Sequence, residues 1–189
     1  MTGSRIEVEW GGAMRRFALP NAQIIALQDY LDLGPVELLR RLNEAAALFA
    51  GIRETIRQGL EGGGLEFDKA EALVCRHVDP ALECIMLARG ILTAWSTRVA
   101  VAATETNVAA GDGETTEDAT KDAKGRIDMD SFWAFSSATG MQRSEFEKAE
   151  FADILYALDG WKKVHGAPES GVAPTDEEHE ALKARFKDA

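Results

Sequence analysis

Residues 81–103 read ALECIMLARGILTAWSTRVAVAA. Cys84, Ala88, Ile91, Trp95 and Val99 recur every three or four positions, the interval that aligns side chains on one face of a helix. Most of the intervening residues are apolar or small too, so the helix is apolar around most of its circumference. Such a helix is stable in water only when other elements cover it. The stretch therefore predicts a bundle packed around one central helix, opened by Asp79-Pro80. It does not read as membrane-spanning, because Glu83, Arg89 and Arg98 interrupt a run that would need about 20 mainly apolar residues.

Upstream, Ile6, Val8 and Trp10 alternate with charged residues, Gly11-Gly12 supplies a tight turn, and Met14 to Leu19 returns. This is the pattern of a β-hairpin, closed by Pro20, which has no backbone N–H to donate. Ile24, Leu27 and Leu31 then have helical spacing. Gly34-Pro35 opens a second helix with Leu39, Leu42, Ala46 and Phe49 on one face. Ile52, Ile56 and Leu60 make a third, bounded by Gly62-Gly63-Gly64, and Asp68 with Glu71 has capping-box spacing for a fourth.

Downstream of residue 103 the composition changes. Residues 104–130 carry eight acids (Glu105, Asp112, Glu114, Glu117, Asp118, Asp122, Asp128, Asp130) against three bases (Lys121, Lys124, Arg126). With so little apolar area to offset the entropy of ordering, this reads as an acidic flexible linker. Phe132, Trp133 and Phe135 begin a small aromatic module over 131–166. Within it, Ser144 and Glu147 cap a helix carrying Phe151, Ile154, Leu155 and Leu158 that stops near Gly160. Residues 167–189 form a polar tail with a short helix over 175–186. The expected fold is mainly α with an N-terminal β-hairpin: a small helical bundle over 1–103, the linker, and a small C-terminal helical module.

The net charge is −11. It sets up a field that repels phosphate backbones and makes nucleic acid an unfavourable partner. The start of the chain lacks the apolar run of a signal peptide, which points to the cytoplasm. Cys75, His77 and Cys84 fall short of the four closely paired ligands of a structural zinc site; the cysteines read as core hydrophobes. His165 and His179 read as solvated. The glycine triplet lacks the Lys-Ser/Thr of a phosphate loop, and the linker acids lack EF-hand spacing. No arrangement satisfies the roles a catalytic site needs, so no enzyme, cofactor or metal is expected. Trp133, Phe135, Phe146, Phe151 and Trp161 are the candidate partner-binding residues. They crowd a module too small to hide them all, and exposed aromatic clusters mark interfaces. Packing against one another, or docking on the first domain, is the alternative.

The order of hairpin, Ile24-Ile25-Ala26-Leu27, Leu-Gly-Pro-Val-Glu-Leu-Leu at 33–39 and Ile91-Leu92-Thr93-Ala94 resembles the tail assembly chaperones of gene transfer agents and related long-tailed phages. That family has also been labelled a tail tube protein. The likeness covers roughly residues 4–100. Phe132-Trp133, Gly140-Met141, Ser144-Glu145-Phe146 and the helix from Phe151 to Leu158 resemble the companion module of extended tail chaperones. The resemblance implies a protein absent from the mature particle that coats the tape measure protein and hands it to tail tube subunits, with self-association an option. Two alternatives remain open: a structural tube or terminator subunit, and an acidic helical adaptor that binds a basic partner.

Overall fold

The computed structural model describes residues 4–44, 49–79, 82–106 and 124–165. β1 (Ile6–Trp10) and β2 (Ala13–Phe17) form an antiparallel hairpin with Ile6 opposite Phe17 and Trp10 opposite Ala13. Gly11 and Gly12 both take positive φ, which a two-residue turn of matching twist requires and only glycine adopts without strain. Ile6, Trp10 and Phe17 share the inward face, while Glu7, Glu9, Met14 and Arg16 face water.

Helices α1 (Asn21–Leu31), α2 (Pro35–Asn43), α3 (Phe49–Gly62), α4 (Phe67–His77) and α5 (Leu82–Thr106) follow. Pro35 occupies the first turn of α2, where its missing N–H costs nothing. α3 ends at glycines because backbones meet there. A Cβ on Gly62 would lie 2.2 Å from the Ala18 carbonyl oxygen, and one on Gly63 would lie 1.9 Å from that of Arg16. Gly62 and Gly63 thus seat the hairpin exit against the end of α3, and Gly64, at φ +102° in open space, makes the turn that follows.

α5 packs against α2, α3 and β1. Cys84, Leu87, Ala88, Ile91, Leu92, Trp95 and Ala102 point into the core. By length and composition alone α5 could cross a bilayer. In this fold it is the helix that the others surround on one side.

The chain resumes at Lys124 and continues as α6 (Met129–Ala138), α7 (Arg143–Lys148) and α8 (Phe151–His165). These helices dock on the earlier ones: α7 lies on α1 and α8 on α5. Met129, Phe146, Phe151, Ala152, Ile154 and Leu155 belong to the same core as Phe17, Leu27, Ile56 and Leu92.

Several boundaries differ from the sequence reading. α5 runs through Thr106, and Lys124 to Asp130 is ordered rather than linker. Residues 107–123 and the tail with its expected helix lie outside the described residues. Glu66 rather than Asp68 precedes α4, and Glu71 turns to Arg53 and Cys75 instead of capping. The capping box of α7 is Gln142 with Glu145, two residues before the pair expected. Gly160 does not stop α8, which continues for five more residues, with Lys163 paired to Asp159 at 2.7 Å. One glycine costs a helix only about 1 kcal/mol, less than packing can supply.

Candidate functional site

Two groups of side chains hold the C-terminal helices in place. The first is a strap over the end of α1. Asp32 takes a left-handed conformation there. Gly34 N–H donates to the Lys124 carbonyl at 3.1 Å. The buried Gln28 amide brackets Ile127, accepting its N–H at 2.6 Å and donating to its carbonyl at 3.2 Å. Arg126 reaches Asp29 at 2.7 Å and Asp32 at 3.3 Å, and Lys124 pairs with Asp32. These two cations hold the Asp32 carboxyl below its ordinary range.

The second group lies along α5. Trp95 and Phe151 have ring centroids 6.5 Å apart. Arg98 stands 3.9 Å from Glu150 and 3.5 Å from Asp153, with its guanidinium 5.5 Å from the Tyr156 ring. Tyr156 donates to Glu105, which raises the phenol's pKa because the hydrogen bond favours its protonated form. Asn21 donates from its backbone to Ala149 and from its amide to Phe146, both at 2.9 Å.

The five candidate aromatics do not form one exposed cluster. Phe146 and Phe151 are buried, so neither can meet a partner without opening the fold. Trp133 and Phe135 are half-buried. Trp133 lies against Phe146 with Arg143 over its ring, and Phe135 meets Trp161 edge-on at 5.7 Å. Only Trp161 is exposed, at 42%, with His165 stacked on it. Burial won for Phe146 and Phe151 because the first domain lends its core to the module.

Among the described residues no three His, Cys, Asp or Glu side chains converge as metal ligands. Cys84 is buried, as expected of a small hydrophobe. Cys75 is exposed instead, between Arg53 and Glu71 at 3.4 and 3.3 Å. His77 packs edge-on against Trp10. Around Arg57, Glu54 and Glu61 form a part-buried ion network within α3. Burial pushes the Glu61 carboxyl up despite the guanidinium. Arg57 also reaches Glu71 at 3.9 Å, which ties the network to α4.

The sequence reading missed the outward face of α5. At 100° per residue, Met86, Thr93, Thr97, Ala100, Val101 and Thr104 share one side, and all are exposed. Arg89 and Glu105 flank this stripe; no charge lies within it from Met86 to Thr104. Met86 and Val101 are 52% and 42% exposed, and Leu82 at the helix start is 70% exposed. Although 28% of the chain is charged, this face presents no charge over some 18 residues of helix. The signal was present in the sequence as apolarity all round the helix, which could be taken only as burial.

Residues 4–96 match the sequence model of a family described as phage tail tube protein, GTA-gp10. That likeness supports a tail-related protein of a phage or gene transfer agent. No curated protein and no solved structure matches the chain. The matched segment runs from the hairpin to the residue after Trp95, so α6, α7 and α8 fall outside it.

Proposed function

We propose that this protein is a tail assembly chaperone, which binds the tape measure protein, keeps it soluble and helps recruit tail tube subunits. The observation that carries this reading is the uncharged outward stripe of α5. A long, largely helical client exposes apolar faces before the tube encloses it. A rigid helix presenting Met86 to Thr104 offers those faces a matching stripe, in the manner of helix-on-helix packing. The charged remainder of the surface, with a net charge of −11, keeps such a complex from precipitating. On this reading the protein performs no catalysis, acts in the host cytoplasm and leaves before the particle is complete. Of the five module aromatics, Trp161 is the one exposed enough for a second contact.

A structural tail subunit is the second reading, favoured by the description of the matching family. Against it, ring-forming tube subunits need sheet that pairs between copies, and the described residues offer one two-stranded hairpin.

Co-expression with the tape measure protein of the same phage or gene transfer agent, followed by pull-down at high salt, tests the proposal. The chain should bring the tape measure into the soluble fraction. A Thr97→Glu, Val101→Glu double variant should fold normally and fail to do so. A tape measure that stays insoluble with the unmodified chain sinks the chaperone reading. Stoichiometric amounts of the chain in purified particles would establish the structural one.

A further inference from the structure

Among the described residues five buried side-chain polar atoms lack a hydrogen-bond partner: Ser4 Oγ, Arg15 Nε, Asn21 Oδ1, Trp95 Nε1 and Arg98 Nε. Four of the five belong to residues that touch the C-terminal module. Ser4 meets Glu150 through its backbone N–H, Asn21 holds Phe146 and Ala149, Trp95 faces Phe151, and Arg98 faces Glu150 and Asp153. The other buried polar side chains are satisfied: Glu54, Thr55, Gln58 and Thr106 within α3 and α5, and, away from α8, Gln28 against Ile127 and Ser136 within α6. Native cores leave few such atoms, so their concentration along one seam marks it as a docked surface.

We infer that α8 is a displaceable occupant of the α5 face around Trp95 and Arg98. The other occupant is an amphipathic helix from a partner protein, with acids in its first turn. The seated helix shows what that face accepts. Phe151, Ile154 and Leu155 fill it at the i, i+3, i+4 spacing of a helical anchor. Glu150 and Asp153 supply charge opposite to Arg98 yet stand beyond hydrogen-bond distance. A partner helix with carboxylates closer to Arg98, and an acceptor for the Trp95 indole N–H, makes every present contact and satisfies two donors that α8 leaves bare. Because α8 follows α7 after only two residues and α7 is docked on α1, α8 competes at high effective concentration and sets a threshold that the partner must exceed. The inference is independent of the proposed function: the partner helix is defined only by its apolar i, i+3, i+4 anchors and its first-turn acids, and it takes the α8 face rather than the outward stripe.

The test uses the full chain and a fluorescein-labelled synthetic peptide of residues 148–165, followed by anisotropy. The unmodified chain should bind the peptide weakly, since its own α8 is seated. A Glu150→Gln, Asp153→Asn variant loosens α8 without removing its apolar anchors and should bind the peptide about 10-fold tighter. Adding Arg98→Ala should reverse that gain. Equal affinity for the unmodified chain and the loosened variant, or no binding by either, overturns the inference. Amide hydrogen exchange on the unmodified chain guards against misfolded variants: residues 151–158 should exchange well before residues 91–95. Equal protection of the two helices would show one indivisible core and also overturn it. If the peptide results hold but the tape measure is not bound, only the chaperone reading fails. If the tape measure is solubilised and the peptide is not bound, only this inference fails.

Discussion

At the scale of single residues, the join between the two halves depends on side chains with ordinary chemistry in unusual positions. Gln28 is 2% exposed and spends both amide atoms on one backbone residue, as a neighbouring strand would. Gln28→Ala removes both bonds and strands the Ile127 N–H and carbonyl. Two lost bonds with partly desolvated partners predict a destabilisation of about 1–3 kcal/mol in a urea titration. Asp32 gives the join a pH dependence. Its folded-state pKa lies below the ordinary value because Lys124 and Arg126 stabilise the carboxylate. Its contribution is therefore full above the ordinary carboxylate range and is lost as pH falls through the folded value. From neutral pH to below about pH 4, exchange protection of the Ile127 amide should fall, and Asp32→Asn should flatten that dependence. The group is exposed, so the effect is small and should shrink further in salt. None of this was legible in the sequence. Residues 124–127, Lys-Gly-Arg-Ile, carry one apolar side chain in four, and hydrophobic periodicity has no term for a glutamine that imitates a strand.

At the scale of elements, the hairpin and the helices were legible, because period-two alternation around Gly11-Gly12 and three-four spacing elsewhere follow directly from backbone geometry. Helix ends were less legible. Caps and stops depend on which competitor a side chain prefers, as Glu71 prefers Arg53 and as α8 continues through Gly160. α5 was identified as the central helix, and Trp95, at 2% exposure between the core and Phe151, acts as its keystone. Trp95→Ala should cost about 3–5 kcal/mol and lower the thermal midpoint accordingly. Yet only 33% of the most apolar window of α5 is buried. Apolar composition all round the helix implied burial all round, and the fold leaves the opposite side open. The two faces therefore separate experimentally. Thr97→Glu with Val101→Glu should change stability by less than about 0.5 kcal/mol, as exposed substitutions do, while removing client binding.

At the scale of the whole molecule, the candidate site divides differently from the sequence reading. The aromatic residues of the module were expected to form a binding cluster, but composition cannot show that the first domain has room in its core for Phe146 and Phe151. Docking leaves Trp161 as the exposed aromatic of the five and makes α5 the organising surface on both sides: one face holds α8, the other faces water. The net charge of −11 then distinguishes the protein-binding readings. An acidic adaptor draws a basic partner through long-range attraction, which screening weakens as the Debye length shrinks from about 10 Å at 0.1 M salt to about 3 Å at 1 M. Helix-on-helix burial along Met86 to Thr104 involves no charge within the stripe, and apolar burial is not weakened by added salt. Affinity for the tape measure protein, measured by calorimetry from 0.1 to 1 M sodium chloride, should therefore change by less than about 3-fold. The heat capacity change on binding should be negative, as burial of apolar surface requires. A fall of a hundredfold or more over that range would transfer the interaction to charged groups such as Glu7, Glu9 and Glu44, and with it the function to an acidic adaptor.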